Sequence, residues 1–174
     1  MALSVTRMQI PDIAAFLDYY QSVRARTRCL LPLVPPEQLE WTYRPGKFTL
    51  GDQVRHIAAI ERQLYVEAVF DRPSQYAGCG PELAAGYEAT LAFFDCCHAE
   101  TLAALRTLPP ERLREKCYPL GGAGITVWKW LRLLPEHEIH HRGQLYLYLG
   151  MLGIETPPIF GLSSEELTRR GAGQ

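Results

Sequence analysis

The sequence predicts an all-α fold, a four-helix bundle with a long crossover between helices 2 and 3 and a short C-terminal helix. Three observations predict it. Apolar residues recur at helical spacing in four long segments, the breaks between them are rich in Pro and Gly, and no segment reads convincingly as a strand. The 174 residues, 47% hydrophobic and 21% charged, suit one domain over 1–174 with one sizeable core.

The first helix is read over about Ile13 to Leu31, with Phe16, Leu17, Tyr20 and Val23 on one side and Pro32, Pro35 and Pro36 closing it. Arg24 falls on the apolar side and is read as an edge residue snorkelling outward. Pro35 to Lys47 is a connector. Thr49 is an N-cap, with Asp52 three residues on, and the second helix carries Leu50, Val54, Ile57 and Leu64 to about Phe70, with His56 at the margin of its stripe.

Residues 71–81 form the long connection, which in a bundle lets the chain cross to a non-adjacent helix. The third helix is read from about Glu82 to Leu108, before Pro109-Pro110, with His98 in the middle of its apolar face. Glu111 to Ile125 holds a turn or short extended piece, and its Gly121-Gly122-Ala123-Gly124 run is a loop, not a phosphate cradle. Thr126 is read as the cap of the fourth helix, which runs to Leu152 with a bend expected at Pro135. Ser163 to Glu166 is a capping box for the short terminal helix, and 171–174 is expected to fray.

A net charge of −1 without any Lys/Arg block argues against a nucleic-acid partner, and no run of about 18 apolar residues suggests a membrane span. Met1 to Arg7 has no long apolar leader region. Five cysteines without a CxxC pair give neither a disulfide framework nor a zinc ribbon, which fits a reducing cytoplasm.

The histidines carry the chemistry. Three of the five fall at 137, 140 and 141. On a helix His137 and His141 share a face one turn apart, where Trp130, Leu134, Leu145 and Tyr148 also lie, so two imidazoles point towards a core and need partners. Such a pair can ligate one metal ion, and His56 on the second helix is the natural third ligand; hydrogen-bonded core or surface histidines are the other reading of the same spacing. Three imidazoles would leave a coordination position open for water or substrate. His98 reads as a hydrogen-bonded core residue or a supporting one, and His140 as a surface group or a support of the ligands. Glu138 could orient an imidazole or act as a base, but on a helix is more often a solvated charge.

The run His137-Glu138-Ile139-His140-His141-Arg142-Gly143-Gln144 resembles the HxxxHRGQ signature of the DinB/YfiT-like superfamily of four-helix proteins. Lys47 to Ile57 is similar to the segment carrying that family's first metal histidine. The resemblance implies an up-down-down-up bundle, a divalent metal, nickel or zinc, on His56, His137 and His141, and a homodimer. Arg142 and Gln144 would satisfy buried polar groups, and Gly143 would let another helix approach closely. It further implies a transferase that joins a low-molecular-weight thiol such as bacillithiol or mycothiol to small electrophiles in stress or detoxification. A metal-dependent hydrolase and a non-enzymatic, stress-induced metal-binding protein are the alternatives.

Overall fold

A computed structural model describes residues 10–172, so the readings made for Met1 to Arg7 and for the tail at 173–174 lie outside the described residues. Helix α1 spans Ile13–Arg28, with the Asp12 carboxylate accepting the Ala15 N–H at 2.8 Å as its cap. It ends three residues before the expected Leu31: Pro32 has no N–H to give the Arg28 carbonyl, so the α-helix does not continue, and a short 3₁₀ turn, Leu31–Leu33, follows.

Helix α2 begins at Leu50 behind the Thr49–Asp52 capping box, is α-helical over Leu50–Ile60, widens to a π-helix over Glu61–Val66 and closes as Glu67–Val69. Helix α3 spans Tyr87–Arg106 rather than 82–108. Gly86 sets its start: at φ +84° it occupies backbone that only glycine adopts easily, and the helix forms after it. Two two-residue strands, β1 (Lys116–Cys117) and β2 (Ile125–Thr126), pair antiparallel across the Gly-rich loop, so the short extended piece is real. Thr126 pairs in β2, and its hydroxyl does not cap helix α4, which runs unbroken from Val127 to Met151 through Pro135. Helix α5, Ser164–Gly171, has the Ser163–Glu166 capping box and buries none of its residues.

The apolar core is divided in two. One cluster takes Phe16 to Val23 of α1, Ile60 to Val69 of α2, Leu102 and Leu105 of α3 and Val127 to Leu134 of α4. The other takes Leu30 and Leu31 after α1, Leu50 to Ala58, Phe94 and Cys97, and Leu145 to Leu149. Helices α1 and α4 therefore run from the first cluster to the second and α2 and α3 run the opposite way, an up-down-down-up order that the 70–86 connection makes possible.

A polar layer separates the clusters, and each bundle helix contributes to it. Arg24 of α1 is 5% exposed and ion-paired with Glu61 of α2, and its Nη2 lies 3.1 Å from Glu138 Oε2 of α4. Glu61 also accepts a hydrogen bond from His98 Nδ1 of α3 at 2.8 Å. Two expectations are corrected here. Arg24 does not snorkel outward, because two buried carboxylates hold it inside, and Glu138, 1% exposed, is neither a solvated charge nor a base beside the ligands.

Candidate metal centre

His56 enters from α2, five residues before the π-helical turn, and His137 and His141 from consecutive turns of α4. One ring nitrogen of each of the three lies within 4.8 Å of those of the other two. His56 Nε2 and His137 Nε2 are 3.1 Å apart, and the His141 ring centroid lies 4.6 Å from that of His56 and 4.5 Å from that of His137. His141 is buried, and the other two are half-buried.

The opposite nitrogens of two rings are held. His141 Nδ1 faces Gln53 Oε1 at 2.7 Å and Gln144 Oε1 at 2.8 Å; amide oxygens only accept, so the ring carries its proton on Nδ1 and leaves Nε2 with a free lone pair. The Gln144 amide nitrogen donates in turn to His140 Nε2 at 3.1 Å, which fixes the amide's orientation. His56 Nδ1 meets the Tyr76 hydroxyl at 2.8 Å, and with Nε2 turned to the other histidines it is the donor. Tyr76 sits on the long crossover, and the Phe48 ring, 5.2 Å from His56, covers another side. Tyr65, stacked on Trp130 at 4.4 Å, lies 6.1 Å from His137.

Burial holds all three imidazoles neutral. Desolvation, with His141 next to it, pushes His56 down to about 4; desolvation and the neighbouring histidines push His137 down to about 3; and burial lowers His141 despite the Gln144 contact. Three unprotonated, convergent nitrogen donors, with the far sides of two rings held by hydrogen bonds, fit a divalent ion that prefers imidazole.

The crossover is fixed over the site by Arg55, next to His56 and fully buried. Its Nε donates to Cys79 O at 2.8 Å, its Nη1 to Ala84 O at 3.2 Å, and its fork to both Glu40 oxygens at 2.9 and 3.0 Å. Gly51 makes room, since a Cβ there would lie 2.9 Å from both terminal nitrogens of that guanidinium.

Of the other residues singled out in the sequence, Gln144 and His140 lie against His141, whereas His98 and Arg142 do not support the ligands. His98 packs on Tyr20 and Glu61, and Arg142 is buried with Nη1 donating to Val23 O at 3.2 Å. Gly143 is exposed, and a Cβ there would meet nothing within 4 Å, so it permits no close approach within the chain. Gln53 and Tyr76 were not singled out. A surface groove of ≈ 360 Å³ between Ala68, Asp71, Arg72, Pro73, Lys116 and Tyr118 includes none of the three histidines. Among the described residues no helix is long and apolar enough to cross a membrane.

Solved structures share this fold. A DinB-like protein from Bacillus cereus ATCC 10987 is similar at a TM-score of 0.75 and 19% identity, over 86% of this chain and 99% of that one. The DinB-like protein YjoA of Bacillus subtilis gives 0.65 and 20% over 83% and 95%. YfiT of Bacillus subtilis, described as a probable metal-dependent hydrolase with an unusual four-helix bundle topology, gives 0.66 and 19% over 89% and 94%. No curated protein matches the chain. A family model described as the DinB superfamily matches residues 19–145, from the middle of α1 through the last histidine of the site, and the chain belongs to that superfamily.

Proposed function

We propose that the chain is a metal-dependent enzyme in which His56, His137 and His141 hold a divalent ion, nickel or zinc, and that it transfers a low-molecular-weight thiol to a small electrophile in stress or detoxification. The observation that carries this reading is the 3.1 Å approach of His56 Nε2 to His137 Nε2, with His141 beside them. When bound, an ion on three imidazoles with a position left open lowers the pKa of a thiol or water placed there.

The protein's own groups favour a thiol. Glu138, the carboxylate next to the ligands in sequence, is turned into the core against Arg24 and is no base for the site. A thiol, with a pKa of about 8.5 against about 15.7 for water, needs that base least. In the reaction the sulfur forms a bond to the electrophilic carbon, the leaving group departs with its electron pair, and the thiol proton passes to solvent. Phe48 and the Tyr76 ring bound the site next to His56 with aromatic surface, which suits a small apolar electrophile. The five free cysteines fit a reducing cytoplasm. A homodimer belongs to the same reading.

Hydrolysis is the second reading, favoured by the description of YfiT. One experiment separates them: steady-state rates with a panel of small thiols and a chloronitrobenzene electrophile, and with activated esters without thiol, for native protein and for the triple variant His56→Ala, His137→Ala, His141→Ala. Thiol-dependent turnover lost in the variant supports transfer, and ester turnover without thiol supports hydrolysis. Equal rates for native and variant protein exclude both.

A further inference from the structure

The three histidines come from two helices that no covalent link holds in register, and the apolar contacts between those helices are non-directional. A buried ion pair is different. Sliding one partner by a turn strands a charge in the core, which costs far more than the loss of any single apolar contact.

We infer that Arg24 is a positioning residue for the metal centre: by holding Glu61 of α2 and Glu138 of α4 on one guanidinium, it sets the register of the helices that carry His56 and His137. The inference rests on reading the three histidines as a metal site. Glu138 directly follows His137, and Glu61 lies five residues beyond His56, where the π-helical widening begins, so a shift at either acid is a shift at the neighbouring imidazole. Arg24 is itself fixed from two further directions, by Nη2 donating to Tyr20 Oη at 3.0 Å and by the Phe94 ring, 4.1 Å from its Cζ.

The layer is not built to maximise stability. Nε and Nη1 of Arg24 and both oxygens of Glu138 have no hydrogen-bond partner among the described residues; the Arg24–Glu138 contact is close but not aligned. A half-satisfied buried network is worse for stability than apolar packing, and specifying register is the best-attested use of such groups.

The test is zinc affinity, measured by titration against a competing chelator. It compares native protein with the volume-conserving triple variant Arg24→Met, Glu61→Gln, Glu138→Gln and with Arg24→Lys. The triple variant stays folded by circular dichroism and binds zinc about tenfold to a hundredfold more weakly, the loss typical of groups that orient ligands. Arg24→Lys, which keeps the charge but not the position of the Nη2 that meets both acids, shows a smaller loss in the same direction. A role in stability alone would lower the melting temperature and leave the affinity of the folded protein intact, so folded variants that bind zinc as tightly as native protein overturn the inference. If the triple variant unfolds, Arg24→Lys decides by the same two outcomes. Native protein that binds neither zinc nor nickel removes the metal reading itself, a failure distinct from that of Arg24.

Discussion

His56 and His137, 81 positions apart in the chain, face each other through Nε2 atoms separated by 3.1 Å. That separation suits a hydrogen bond between the two neutral rings in the metal-free protein, and it leaves both nitrogens within reach of one cation when an ion is bound.

Stability of the metal-free protein should fall as pH is lowered below about 6.5, the ordinary histidine value. Above that value both the folded and unfolded forms are neutral. Below it the unfolded imidazoles take up protons, while the folded His56 and His137 resist until about 4 and about 3, so protons favour the unfolded chain and stability is lost across that window. Melting curves in chelator from pH 7 to pH 4 check this, and a flat melting temperature between pH 7 and pH 5 would contradict it.

Zinc or nickel at about a hundred times its dissociation constant should stabilise the native fold by about 2.7 kcal/mol, and a chelator should reverse the gain. His141→Ala should abolish the response, since it removes the buried ligand, whose ring lies close to both of the others. Differential scanning fluorimetry reads both effects.

Tyr76→Phe deletes the oxygen that meets His56 Nδ1 and leaves the ring in place. Metal affinity should drop about tenfold or more. The melting temperature of the metal-free protein should change little, because Tyr76 is only half-buried and keeps its ring. Gln144→Ala should act less, because Gln53 still accepts from His141 Nδ1. Competition with a colorimetric chelator ranks the variants.

Two glycines should respond oppositely to alanine. Gly51→Ala forces a methyl against a guanidinium pinned by Glu40, Asp52 and two carbonyls, and should cost about 1–3 kcal/mol. Gly143→Ala adds a methyl into open space on an exposed helix face and should stabilise by about 0.5–1 kcal/mol. Urea melts give both signs.

Much of this was legible in the sequence. Apolar period, caps and proline stops located the helices, and His56, His137 and His141 stood out because imidazoles on apolar faces demand partners. Boundaries slipped where one residue's backbone decided them, as at Gly86. Arg24 and Glu138 were misread because a charge at a stripe position is satisfied either by reaching water or by meeting its opposite on another helix, and one helix alone does not say which. The signal was available as a set: Arg24, Glu61 and Glu138 occupy apolar-side positions on three helices with complementary sign. Tyr76 depends on how the crossover folds back over α2, and Gln53 on how α2 packs against α4; no local pattern encodes either.

The division of the core into two apolar blocks has a consequence for how the molecule opens. Neither block needs the other to exclude water, since the seam between them is ionic, so amide hydrogen exchange should reveal two cooperative units of unequal protection. A cation at the histidines, which flank that seam, would fasten the blocks together and merge the two opening events into one.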